Sequence, residues 1–355
     1  MLRFGRALAL ALMGLSTAAV EAADFSFVAL GDTAYNPQRD LPIYERLIET
    51  INEAEPAFSI HVGDTWGALV CSKENHEWIR GWFDRYDHPL FYTPGDNEWT
   101  DCRRPEVLEA YRRMMRKEAS PEDLLMLGGL RTLDQAFAGT SYADPWGSLS
   151  IIREVFFSKA ESQGSRRMAA QQQTGTPENL FWSHEEVAFA TINVPGSGYG
   201  FTINNAENAA RAVELNRANV EWIKESFARA EQQEAKAMVV VLHASLFSEY
   251  PDSGNFGNAE LRGRDEGPFF WVALAIRDLA ERFGKPVLLV HGDFHEFIVD
   301  RPFALSRGEI ELPRYTNVTR LQVFGAPELK AVRVTVEPDT PWVFGFQPLY
   351  PTPQP

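Results

Sequence analysis

Six residues of this chain have the types and placement to bind cations and activate water. Four Gly-Asp pairs, at 31–32, 63–64, 95–96 and 292–293, each close a short apolar run. His243 ends a fifth such run, Met238 to Leu242, and His295 lies two residues past Asp293. Apolar runs of this length bounded by turn residues read as buried strands. In α/β sheets the ligand site lies outside the carboxyl ends of the strands. Gly permits the sharp turn there and Asp presents a hard oxygen ligand. The spacing therefore brings Asp32, Asp64, Asp96, His243, Asp293 and His295 together from five strands. A mixed carboxylate–imidazole set suits Mn, Fe or Zn rather than an all-oxygen calcium cage. Two such ions sharing one carboxylate would clamp a phosphate and generate a hydroxide nucleophile.

The elements that must position these residues are legible in the same pattern. Phe25 to Leu30, Phe58 to Val62 and Pro89 to Tyr92 read as strands. Between them, Ile43 to Ile51 and the stretch around Trp78 to Tyr86 carry apolar residues at helical spacing. Strand–helix–strand–helix–strand implies a parallel sheet with right-handed crossovers. From about 103 to 178 the chain is charged and mostly helical in pattern, and reads as an insertion, with Gln163 to Pro177 as a flexible connection. Strand-like runs return at 181–182, 187–194, 238–242, 287–290, 297–299, 319–323 and 331–336. Helical runs cover 216–231 and 270–283, and a Pro-rich tail ends the chain.

The compartment is set by the first residues. Arg3 and Arg6 precede the apolar run Ala7 to Val20, and Val20 and Ala22 stand as the −3 and −1 residues of a cleavage site. That is the pattern of a cleaved secretory signal over 1–22, with one domain at 23–355 and no membrane span after cleavage. The protein is expected to be secreted or periplasmic. There an even pair of cysteines, Cys71 and Cys102, is a disulfide candidate. The formal charge of −15 gives no electrostatic footprint for nucleic-acid binding. A phosphorylated substrate would need local positive charge, which bound metal ions supply.

The order Gly-Asp, Gly-Asp, Gly-Asp-Asn-Glu (95–98), strand-end His and Gly-Asp-Phe-His (292–295) resembles the calcineurin-like metallophosphoesterases. That family's usual blocks are an Asp, GD, GNH(D/E), a lone His and GHxH. The resemblance covers nearly all of 24–300 outside the insertion, including Asn216-Arg-Ala-Asn-Val-Glu-Trp-Ile ahead of the lone-His strand. The opening block, Asp32 with no His two residues later, is closer to the purple acid phosphatase branch and its exported bacterial relatives.

The resemblance implies a four-layer α-β-β-α sandwich and a dinuclear centre that hydrolyses a small phosphate ester. Asp32 and His295 would bind the first metal, Asp64 would bridge, and Asp96 and His243 would bind the second. Three departures stand out. Asp293 replaces an imidazole by a hard anionic ligand. Asn97 replaces a His that contacts phosphate, and can donate a hydrogen bond but cannot act as an acid. Gly67 stands where the purple enzymes carry a metal-bound Tyr, so no purple colour is expected.

His291, two residues before Asp293, is a candidate stand-in acid or positioning partner, or else a buried histidine hydrogen-bonded to backbone. Trp66 and Trp99, close to Asp64 and Asp96, are candidate walls of the substrate pocket or plain loop packing, and a disulfide Cys71–Cys102 would tie those two loops together. His61 reads as core, and His76, His88 and His184 as solvated. The alternative to a phosphoesterase is an exported binding protein that retains the metal scaffold with little or no catalysis.

Overall fold

The computed structural model describes residues 23–65, 71–102, 144–196, 206–247, 269–303, 306–307, 310–311 and 317–353, and a few residues between 113 and 121. The signal segment, Trp66, Gly67 and most of 103–143 lie outside the described residues.

The first third alternates as expected: β1 (Phe25–Leu30), α1 (Pro37–Glu53), β2 (Phe58–His61), α2 (Lys73–Phe83) and β3 (Leu90–Tyr92). Helix α1 starts six residues before its apolar periodicity, because Asn36 caps it. The Asn36 side chain accepts from the Arg39 N–H, and Pro37 sits in the first turn, where a missing N–H costs nothing. Tyr44, Leu47, Ile48 and Ile51 form its buried face. Ser72 caps α2 in the same way through the Asn75 N–H.

Among the described residues the later helices are α3 (Pro145–Phe156), α4 (Ala206–Gln232) and α5 (Phe270–Phe283). Gly284, at φ 65°, stops α5 in the left-handed conformation that glycine adopts without strain. The later strands are β4 (Gln171–Gln173), β5 (Thr176–His184), β6 (Val187–Thr191), β7 (Ala237–Val241), β8 (Val287–His291), β9 (Ile298–Asp300), β10 (Ser306–Arg307), β11 (Ile310–Glu311), β12 (Val318–Gln322), β13 (Ala331–Glu337) and β14 (Val343–Leu349).

Two mixed sheets result. The first has the order β14-β13-β1-β2-β3, with β1, β2 and β3 parallel and β13 antiparallel to β1. The second has the order β4-β5-β6-β7-β8-β12-β9, with β6, β7, β8 and β12 parallel. The parallel arrangement expected for β1, β2 and β3 holds, and the second sheet adds the parallel run β6, β7, β8 and β12. The Pro-rich tail contains β14, an edge strand, the one sheet position where Pro348 lacks no partner it needs.

Aromatic side chains join the sheets face to face. Phe91 of β3 stacks on Trp182 of β5 at 3.6 Å between ring centroids, and Phe58 meets Phe189 edge-on at 5.1 Å. Such pairs add on the order of 0.5–1.5 kcal/mol each beyond the area they bury. Helix α4 covers β5, β6 and β7 and packs against α5, while α2 packs against α3.

The stretch from Gln163 to Pro177 is not a free connection. Gln163 exchanges both backbone hydrogen bonds with Leu90 of the first sheet (2.9 and 2.7 Å), and β4 pairs with β5 of the second.

Cys71 and Cys102 form a disulfide, with 5.7 Å between Cα atoms. Closing a loop of 31 residues stabilises the fold by about 3–4 kcal/mol on a chain-entropy account. The double variant Cys71→Ser/Cys102→Ser is expected to lose about that much in a urea titration.

Two histidines expected at the surface are buried, His76 at 2% and His88 at 1% exposure, and His184 is half-buried against Phe25. His88 bonds to the Ser59 hydroxyl at 2.7 Å, whereas among the described residues neither ring nitrogen of His76 has a partner. Burial lowers His76 to about 4. Its unfolded value is about 6.5, so the folded state resists protonation. Stability is therefore full above about pH 6.5 and falls by about 3 kcal/mol as pH drops to about 4. His76→Leu is expected to flatten that acid slope, measured as unfolding free energy against pH, with the His88 contribution remaining.

Candidate metal centre

The site is built where the carboxyl ends of the parallel strands of both sheets meet. Asp32 follows β1, Asp64 follows β2, Asp96 follows β3, His243 follows β7, and Asp293 and His295 follow β8. All six expected ligands are brought together. The His243 Nε2 lies 3.4 Å from Asp64 Oδ1 and 3.8 Å from Asp96 Oδ1, and the His295 Nε2 lies 3.4 Å from Asp32 Oδ1. Two groups of ligand atoms, Asp32–Asp64–His243 and Asp96–His243–Asp293, each fall within 4.8 Å of one another.

Backbone conformation is spent on this convergence. Asp32, Asp64, Asp293 and His295 all have positive φ, at 50°, 53°, 80° and 61°. Non-glycine residues in that region cost on the order of 1–3 kcal/mol each and persist where the surroundings hold them. The surroundings do so here. The Asp32 N–H donates to Gly63 O (3.0 Å), the Thr33 N–H to Asp64 O (2.9 Å) and the Asp293 N–H to the Asp32 carboxylate (3.1 Å). Gly63, at φ 101°, is pressed so close to Gly95 that a Cβ would lie 2.7 Å from the Gly95 Cα.

Both imidazoles are oriented from behind. His243 Nδ1 donates to Val62 O at 2.8 Å and His295 Nδ1 to Ala326 O at 2.6 Å. In this tautomer each Nε2 presents a lone pair to the carboxylates. His243 Nε2 is fully buried and, among the described residues, has no hydrogen-bond partner. An acceptor facing acceptors is stable only with a cation, or a proton, between them. Burial pulls His243 down, yet Asp32, Asp293 and Asp96 push it up to about 9. Burial and then Asp96, Glu98 and Asp32 push the Asp64 carboxyl well above the usual carboxylate range. Burial, opposed by His243 and reinforced by Asp96, brings Asp293 up to about 6. The residues fit bound metal: four carboxylates and two neutral imidazoles offer the anionic and imidazole donors that a divalent cation takes.

Other expected residues divide. Asn97 sits in the site and donates its side-chain amide to Asp64 Oδ2 at 2.6 Å and its N–H to Asp64 Oδ1 at 3.1 Å. His291 takes the buried, backbone-bonded alternative and not the catalytic one. It is fully buried, its Nδ1 donates to Gly292 O at 3.0 Å, and burial with nearby Arg320 lowers it to about 3. A group held there carries no proton to give at neutral pH, and among the described residues none of its hydrogen bonds reaches the carboxylates. Trp99 is also corrected: it is fully buried against Trp146, at 5.4 Å between rings, and braces its loop instead of walling a pocket. His61 is core, as expected, bonded to Thr33 and the Gly63 N–H.

Three contributors escaped sequence reading. Glu98, 3% exposed, accepts from the N–H groups of Asp64 (3.1 Å), Thr65 (2.5 Å) and Gly95 (2.9 Å) and from the Thr65 hydroxyl (2.7 Å). Its place in Gly-Asp-Asn-Glu was the available hint. Gly196, beyond β6, sits so close that a Cβ there would run into the Asp96 carboxylate and lie 2.9 Å from Asp293 Oδ1. Tyr35, three residues after Asp32, places its hydroxyl among the ligands, donating to Asp64 Oδ2 and lying 3.4 Å from Asp32 Oδ1. On the solvent side of the cluster His295 is 29% and Phe294 36% exposed.

No family model matches this chain, and no curated protein matches it. Among solved structures, GAP50, the anchor in the inner membrane complex of Plasmodium, aligns over 93% of this chain and 90% of that one. The identity is 11% and the TM-score 0.40, a likeness too slight to carry an argument about fold or activity.

Proposed function

We propose that this chain is an exported, metal-dependent hydrolase of phosphate esters, built as a four-layer sandwich of the calcineurin-like metallophosphoesterase type. The observation that carries the reading is the His243 Nε2, buried without a partner among the described residues and aimed at Asp64 and Asp96. Export is supported by the Arg3 to Ala22 pattern and the disulfide, which fits an oxidising compartment. Among the described residues no helix is long and apolar enough to cross a membrane.

Asp32, Asp64 and His295 would hold one ion, and Asp64, Asp96, His243 and Asp293 the other, drawn from Mn, Fe or Zn. When bound, such a pair polarises a phosphoryl oxygen and lowers the pKa of water. The protein's own groups fix the ligand tautomers through Val62 and Ala326 and hold Asp64 through Asn97. The Asn97 amide can turn to a phosphate oxygen once Asp64 is otherwise engaged, and hydrogen bonding to developing charge favours the transition state. The exposed His295 side admits a small substrate.

A binding protein with the same scaffold is favoured by one feature, the commitment of Asn97 to Asp64 with no acid beside it. Turnover of p-nitrophenyl phosphate and bis-p-nitrophenyl phosphate by protein loaded with Mn, Fe or Zn separates the two. Turnover of either ester supports the hydrolase. Bound metal without turnover of either transfers the proposal to the binding protein.

A further inference from the structure

A second concentration of charge lies at the opposite end of β3 from the metal centre. Gln163 pairs with Leu90, the first residue of that strand, whereas Asp96 lies beyond its last. There the last turn of α2, the end of α3 and the segment 158–167 enclose a cleft of about 260 Å³, part of it open to solvent. Arg80, Lys159 and Arg167 line it, with Glu161 as the carboxylate among the lining residues, and Ser158 and Gln163 add a hydroxyl and an amide. Three cations gather around one carboxylate in a chain whose formal charge is −15.

Both guanidinium groups are held in place by main-chain oxygens. Arg80 Nη1 donates to Val155 O at 2.8 Å, and Arg167 Nη1 to Ser162 O at 3.1 Å. Arg167 also meets Asp84 at 2.8 Å, and Lys159 stands 3.9 Å from Glu161. Among the described residues Arg80 meets no carboxylate within ion-pair distance. A guanidinium carries five N–H donors, and capping the end of α3 takes one of them. Fixed, planar groups with donors to spare suit a tetrahedral oxyanion, which guanidinium binds through paired N–H groups. The space takes such an ion with its water, and falls short of the ~300–1,000 Å³ of a pocket for a drug-sized ligand.

We propose that this cleft binds a small tetrahedral oxyanion, phosphate or sulfate, between Arg80 of α2 and Arg167 of the segment that pairs with β3. The bound ion ties α2 to that segment and offsets the positive charge gathered there. The site is separate from the metal centre and does not rest on the hydrolase reading.

The test titrates the mature chain, freed of metal by a chelator, with inorganic phosphate, sulfate and phenyl phosphate. Calorimetry at low ionic strength is the readout, because screening is least there. Phosphate is expected to bind at a single site, with sulfate displacing it. Phenyl phosphate that binds as well identifies an oxyanion carried by an ester, and phenyl phosphate that fails to bind identifies a free ion. Both outcomes support the site.

Arg80→Gln and Arg167→Gln are each expected to weaken phosphate binding at least about tenfold, the size of a lost hydrogen bond to a charged group. Ser158→Asp places a carboxylate in the cleft without removing any hydrogen bond of either arginine, so it tests the site even where an arginine variant fails to fold. It is expected to weaken binding by as much or more. Arg217→Gln, at an exposed position on α4, is expected to leave the affinity unchanged. No binding of phosphate or sulfate, or an affinity that Ser158→Asp and both arginine variants leave unchanged, overturns the proposal. Either result leaves the metal centre untouched.

Discussion

Asp64→Ala is expected to abolish binding of the ion pair and to lower ester turnover at least about 10³-fold, because several kcal/mol of charge stabilisation go with the ions. The expectation follows from position. Asp64 is 4% exposed, lies against His243, and is approached by Tyr35 and Asn97. The same substitution is not expected to unfold the protein. Burial and the repulsion of Asp96, Glu98 and Asp32 raise the Asp64 carboxyl well above its ordinary range, so the metal-free cluster loses a source of strain when it is removed. The discriminating measurement is the thermal midpoint with and without metal. Wild type gains about 4 kcal/mol at an ion concentration 1,000-fold above Kd, and Asp64→Ala gains none. A variant that still gains stability from metal would remove Asp64 from the ligand set.

Glu98→Ala is expected to cost about 3–5 kcal/mol of folding stability, the largest single loss outside the hydrophobic core. The reason is arithmetic of donors. Three backbone N–H groups and one hydroxyl converge on this one carboxylate, and none reaches water when it is truncated. Those donors belong to the loops after β2 and β3, so the loss also loosens Asp64 and Asp96 relative to each other. Glu98→Gln keeps one acceptor oxygen and is expected to cost roughly half as much. Urea midpoints of the two variants check the order, and metal affinity should fall with stability in both. A Glu98→Ala protein as stable as wild type would mean that the donors find water or another partner.

The parts of this arrangement written in single residue types were legible in the sequence. Gly-Asp at the end of an apolar run has a local cause, a tight turn presenting a carboxylate, and all four pairs landed in the site with His243 and His295. Strand and helix identity followed from periodicity in the same way. What escaped was non-local. His291 shares its strand face with Asp293 by spacing, yet the turn at Gly292, with Asp293 at φ 80°, breaks the alternation that reading relied on. Trp99 was placed in a metal loop, but only the packing of α3 buries it against Trp146. Tyr35 and Glu98 act through hydrogen bonds to residues about 30 positions away, which no local pattern encodes. The antiparallel strand β13 beside β1, and β14 beyond it, join the two ends of the chain and so leave no trace in a window of ten residues.

The most direct test of the metal centre is the metal content of the mature protein, purified without chelators and reloaded with Mn, Fe or Zn. About two ions per chain in wild type, and about one in His243→Ala, is the predicted result. A wild-type chain that holds no ion under any of these conditions contradicts the account. The buried His243 nitrogen would then share a proton with Asp64, and the cluster would be a polar core.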